Sequence, residues 1–405
     1  MSLISIPESI PESIDDLDKS LGKGDGLLLL DNNFSLNVDS KILLESSLIQ
    51  WVISKHHSIN QKIDITNNNL NLFRNYYEIA LLILNKNKIA NISSRELEKY
   101  KSSFFDNQNN WPDLVVSKSA CLFCSDDRPG TTRDNPPGGL AGQLYNLNNP
   151  ELTAKSEDFE ALIAKLSKAV ASTEDIRGKI TEKNSNLAVI LYELFNNTHV
   201  HARRNVDGSL LDSSIRGIYS RFYPAESLKS YFDSQKNGHL NFIENCTNQF
   251  INNSFFDMKK QESRQRDISG FIEFTVFDSG PGLVAKMLGD EYENADIKKQ
   301  KESLKNCFEK GKSSLGNNEH GYGLWKVLEQ VKQLRGLIRI RANKIHAVTE
   351  FMTSRHPSKP AIHLSNREVP VEDLYDWTLR SSTNLREYPA VQGTLISILI
   401  PMGEL

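Results

Sequence analysis

Residues 184–202, "NSNLAVILYELFNNTHVHA", constrain the fold more than any other stretch. Leu187, Ile190, Leu191, Leu194 and Phe195 recur at i, i+3, i+4, i+7 and i+8, the spacing of a helix with one buried face. Beside that face, Glu193, Asn197 and His201 recur every four residues as a polar stripe. The segments that follow supply a sheet for the helix to cover. "SSIRGIYSRFY" and "GFIEFTVFD" have strand patterning, with a helical insertion between them from Ala225 to Gln265. A helix in "LWKVLEQVKQLRG", a strand in "LIRIRAN" and a last strand in "GTLISILIP" come next. With a further amphipathic helix in "SEDFEALIAKLSKAVAS", this order predicts an α+β fold, a two-layer α/β sandwich over residues 152–405.

The chain has 405 residues, more than the roughly 250–300 at which single cores stop growing, so a second domain is expected. Residues 26–124 supply a smaller, helix-rich mixed domain, with helices in "SKILLESSLIQWVISKHH", "NLNLFRNYYEIALLILNK" and "SSRELEKYKSSF". Residues 1–25 form an acidic, proline-punctuated lead, whose doubled "IPES" is too short to be a structural repeat. Residues 125–151, crowded with Gly, Pro, Asn and Asp, form a loop or linker.

A net charge of −3 provides no basic field, so nucleic-acid binding is not indicated. The longest apolar runs, at residues 26–30 and 79–84, fall far short of the roughly 20 residues of a membrane span. No membrane association is expected, and the N-terminus lacks the basic and apolar blocks of a signal peptide, so a cytoplasmic location is expected. Of four cysteines, only Cys121 and Cys124 form a C-x-x-C, and no second pair completes a zinc site. They are expected to be packed thiols.

Three constellations carry chemistry. On the buried helix, the Asn197 amide oxygen is a hard ligand suited to Mg²⁺, and Glu193, one turn away, can orient water beside the same ion. A solvent-wetted helix flank would account for the same stripe. In "FTVFDSGPGL" an alternating strand runs into Asp278, Gly280 and Gly282. That pattern delivers a carboxylate to a pocket rim beside backbone that a ligand can approach closely, although Asp, Ser, Gly and Pro are also ordinary turn residues. In "HGYGLWKV" the pair Gly321 and Gly323 opens a helix, where free N–H groups favour an anion. The nearby Gly311, Lys312 and Ser313 mimic a Walker A loop, but its first glycine would be residue 306, which is Asn306, and the preceding segment is helical and charged.

In this order the motifs resemble the ATPases shared by gyrase B subunits, heat-shock chaperones, histidine kinases and MutL, the GHKL superfamily with its Bergerat fold. "ELFNN" resembles the N box, "DSGPG" the first glycine box, "GYGL" the second, and "QGTLISILIP" the closing strand. The resemblance covers residues 157–405 and none of the N-terminal region. It implies ATP and Mg²⁺ as ligands. Asn197 would coordinate the ion and Glu193 activate water, while Asp278 would accept a hydrogen bond from the adenine amino group, backed by Thr394. Gly280 and Gly282 would shape the adenine pocket. Gly321, Tyr322, Gly323 and Leu324 would meet the phosphates, and Lys310, Lys312 and Ser313 would lie on a charged lid over residues 283–320 that closes on the γ-phosphate.

The chain departs from the family's branches. It ends soon after the closing strand, without the domain that gives gyrase and MutL their catalytic lysine. His56 and His57, in "SKHHSIN", lack the context of a histidine-kinase phosphoacceptor. The expectation is therefore an ATP hydrolase whose lid closure changes how the N-terminal region meets a protein partner, with a homodimer as one form of assembly. Phosphoryl transfer to a partner protein, or ATP binding without turnover, are the alternatives.

Overall fold

The structure, a computed structural model, describes residues 42–55, 76–84, 93–109, 119–125, 139–146, 154–211, 214–225, 268–311, 322–351, 374–379 and 381–403. It also describes short pieces at 2–5, 26–29, 63–64, 89–90, 115–116 and 149–152, and the single residues 227, 242, 243 and 246. His56, His57, the doubled "IPES" and most of the expected insertion lie outside the described residues.

The architecture is α+β. One antiparallel sheet contains β1 (Val115–Val116), β2 (Ser119–Ser125), β3 (Ile215–Pro224), β4 (Gly270–Asp278), β5 (Leu337–Asn343), β6 (Ile345–Glu350), β7 (Tyr375–Asp376) and β8 (Val391–Met402). Their spatial order is β7-β6-β5-β8-β4-β3-β2-β1. The C-terminal strand thus lies inside the sheet: β8 pairs with β4, Leu395 opposite Phe277, and with β5, Ile396 opposite Ile340. Around the sheet are α1 (Leu44–Lys55), α2 (Tyr76–Leu84), α3 (Ser94–Asn109), α4 (Ser156–Val170), α5 (Glu174–Thr181), α6 (Asn184–His201), α7 (Leu283–Leu288), α8 (Ile297–Cys307) and α9 (Gly323–Gln333).

Strand alternation sorts the sheet's side chains onto two faces. On one, Ile272, Phe274 and Val276 of β4 and Ile396, Ile398 and Ile400 of β8 share a core with α4, α5, α6 and α9. The expected face of α6, Leu187 through Phe195, is buried there. On the other, Phe271, Leu337 and Leu399 join Ile42 and Leu43, which lead into α1.

That second face is polar as well as buried. Glu45 of α1 accepts from Tyr219 Oη at 2.8 Å, Ser119 Oγ at 3.0 Å and Arg221 Nη1 at 3.4 Å. Burial pushes its carboxyl above the usual range, an effect that Arg221 partly offsets. Next to it Glu273 accepts from Tyr223 Oη at 2.6 Å and Thr275 Oγ1 at 2.7 Å. Gln50 of α1 donates to Arg341 O at 2.9 Å. From α3, the Gln108 amide satisfies both backbone groups of Phe123 on β2, each at 2.8 Å, where one side chain takes the place of a neighbouring strand.

Two expectations are corrected. The sandwich has three layers rather than two, because α1 and its neighbours cover the second face. The expected border between residues 26–124 and 152–405 does not divide the sheet: β2, from the first region, pairs along its length with β3, Cys121 opposite Tyr219 and Phe123 opposite Gly217. Cys121 and Cys124 are both buried. Their odd spacing on β2 sends them to opposite faces, so they cannot converge on one ion.

The lid is corrected in part. Residues 283–308 are docked, with Val284, Leu304 and Phe308 in the main core. Asp296 caps α8 by accepting from Lys299 N at 2.7 Å, and Lys301 of the same helix donates to Ser382 O.

Candidate functional site

A cavity of about 370 Å³ opens between α6, α9, α7 and the adjoining ends of β4 and β8, within the size range of small-molecule sites. Because β4 and β8 run antiparallel, the end of one that carries Asp278 meets the start of the other that carries Thr394. Glu193, Asn197, Asp278 and Thr394 line this cavity. So do Gly282, Tyr322, Gly323 and Leu324. Residues far apart in sequence are thus brought to one concave surface.

Asp278 is held at one oxygen and presents the other. Its Oδ1 accepts from Gly280 N at 2.8 Å and Thr394 N at 3.2 Å, and Oδ2 has no hydrogen bond among the described residues. The turn that makes this possible depends on Gly393, whose φ is +76° and whose N–H donates to Gly280 O at 2.8 Å. A Cβ at this glycine would lie 1.8 Å from Asp278 O, so no other residue fits. Burial raises Asp278 to about 7, against the lowering effects of the two N–H donors and Arg216. The carboxylate therefore carries a desolvation penalty that a donor from a ligand would relieve.

At the far end α9 packs against α6 at Gly323. A Cβ there would sit 2.8 Å from Glu193 Oε2 and 3.5 Å from Asn197 Nδ2. Asn197 Nδ2 donates to Glu193 O at 2.9 Å, which leaves Oδ1 as the atom available to a cation. One amide oxygen beside a carboxylate suits Mg²⁺, which keeps several waters and takes few protein ligands. Among the described residues no cluster of three or more His, Cys, Asp or Glu forms a ready-made metal cage.

Other expected residues lie elsewhere. Gly280 does not line the cavity; it packs against Ala202 and holds Asp278 through its N–H. Lys310 Nζ sits 5.0 Å over the Trp325 ring rather than at the cavity wall. Lys312, Ser313 and Gly321 lie outside the described residues.

Three contributors were missed in the sequence. Lys326, one turn into α9, places Nζ 2.8 Å from Glu193 Oε1; its i+3 spacing from Gly323 was the available signal. Arg216 faces Asp278 across the β3–β4 pair, a register invisible without the fold. Asn343, at positive φ, donates to Pro281 O at 2.8 Å and accepts from Ala285 N at 3.2 Å, so it braces the Gly282 turn.

Searches against profiles of known families, curated proteins and solved structures found no match. Geometry therefore carries the functional reading. No helix among the described residues is long and apolar enough to cross a membrane.

Proposed function

We propose that this chain binds ATP with Mg²⁺ and hydrolyses it. The observation that carries the proposal is the convergence on one cavity of a fixed carboxylate, Asp278, with an amide and a carboxylate, Asn197 and Glu193, beside the first turn of α9. In this reading Asp278 Oδ2 accepts from the adenine amino group, while the N–H groups of Thr394 and Gly280 fix the carboxylate through its other oxygen, Oδ1. The N–H groups at the start of α9 face the phosphates. Asn197 Oδ1 holds the ion, which would neutralise phosphate charge during the reaction. Glu193 takes a proton from the attacking water as that water's oxygen bonds to the γ-phosphorus and the bridging oxygen leaves with ADP. The GHKL resemblance and the Bergerat arrangement belong to the same proposal, supported by the order of the motifs and by the central β8.

Titration calorimetry of the full chain with Mg-ATP tests binding. Asp278→Asn should weaken ATP by about 10- to 100-fold, because the lost charge-assisted hydrogen bond is worth roughly 1.5–3 kcal/mol. Wild-type affinity should hold above pH 7 and decline below it, since Asp278 titrates at about 7 and its protonated form is the poorer acceptor. The Asn variant should lack that slope. Unchanged affinity in a folded Asp278→Asn protein would remove adenine from this cavity. Labelled γ-phosphate then tests the reaction. Free phosphate is expected; label on protein would replace hydrolysis with phosphoryl transfer, and tight binding with neither would leave a nucleotide-gated binder.

A further inference from the structure

Among the described residues, the lysines that line the cavity are Lys286 and Lys326, one near each end. Lys286 follows the Gly282 turn and donates to Asn205 O at 2.7 Å, on the side of Asp278. Lys326 lies on the side of Asn197 and Gly323, where its ammonium pairs with Glu193 Oε1 at 2.8 Å. The lysine is 47% exposed and the glutamate 12%. The ammonium end is open to water, so screening and side-chain entropy weaken its hold there, whereas the carboxylate end is largely buried. The pairing occupies one of the two carboxylate oxygens, Oε1, and leaves Oε2 beside Gly323.

We propose that Lys326 distinguishes a nucleoside triphosphate from a diphosphate by leaving Glu193 for the terminal phosphate. The proposal rests on the ATP reading of the cavity and adds a specificity residue to it. A terminal phosphate carries more negative charge than one carboxylate and offers three oxygens to an ammonium that has three donors. The exchange has two results. The third phosphate gains a cation that a diphosphate would not reach, and Glu193 Oε1 is released to accept a proton from water.

The test is calorimetry on the full chain with Mg-ADP and with a non-hydrolysable imido analogue of Mg-ATP, for wild type, Lys326→Met and Lys326→Arg. Lys326→Met should bind ADP within about two-fold of wild type and the analogue about 10- to 100-fold more weakly, the range expected of one charged hydrogen bond. Lys326→Arg should recover most of the loss. Glu193→Gln should tighten the analogue in the Lys326 background and have no such effect with Met at 326. Equal weakening of both nucleotides, or no weakening of either, would overturn the role of Lys326 while leaving nucleotide binding intact. Failure of wild type to bind either nucleotide would overturn the ATP reading and this proposal with it.

Discussion

Glu193→Gln is expected to lower ATP turnover by about 10²–10⁴-fold, the usual worth of a positioned general base, without weakening ATP binding. Glutamine keeps the size of the side chain beside Gly323, where the two helices approach each other, so the change is chemical rather than steric. The Asn197 amide is held by the backbone carbonyl of residue 193 rather than by its side chain, and its orientation should survive. Single-turnover phosphate release against a calorimetric affinity separates the two effects. An unchanged rate would mean that the γ-phosphate itself or another group takes the proton. Equal losses in rate and in ADP affinity would make Glu193 a structural residue.

The second large effect is on stability. Glu45→Ala should cost about 3–5 kcal/mol, because it removes the carboxylate from a buried ion pair and leaves the charge of Arg221 behind. The loss should also leave the hydroxyls of Tyr219 and Ser119 without an acceptor they now share. Urea unfolding followed by circular dichroism would measure the change. Because α1 packs on β8 on the side of the sheet opposite the cavity, the variant should also unfold in one transition, and any protection by added ATP should be lost at the same urea concentration. Two separate transitions, or a cost under about 1 kcal/mol, would show that the N-terminal helices fold independently of the sheet.

The parts of this fold that were legible had strong local periodicity. The buried face of α6 and the alternation of β4 each depend on residues within one element, and the three polar constellations depend on glycines and carboxylates at short spacings. The second face was harder to read for a physical reason. Arg221, Glu273, Thr275 and Ser397 occupy alternate strand positions, the pattern of a sheet side wetted by solvent, yet all are buried. Hydrogen bonds such as those from Tyr219 and Ser119 to Glu45 take the place of water. Such satisfaction is pairwise and distant in sequence, with Glu45 meeting residues 74 to 176 positions away. The β5–β6 hairpin was half seen, because Lys344 follows "LIRIRAN" and "IHAVTE" mixes polar with apolar residues. In the site, the carboxylate and amide were visible, whereas Lys326, Arg216 and Asn343 take their roles from neighbours that only the folded chain brings close.

The place of β2 between β1 and β3 has a practical consequence for anyone dividing this protein. A fragment that begins at residue 152, where composition suggests a natural cut, would strip β3 of its partner from Ser119 to Ser125. Residues 215–221 of β3, the stretch that pairs with β2, would then present a row of open donors and acceptors, with Tyr219 and Tyr223 uncovered beside them. Such a margin recruits strands from other molecules. The fragment should therefore accumulate as insoluble assemblies, and a soluble fragment would need the chain from before α1 onward.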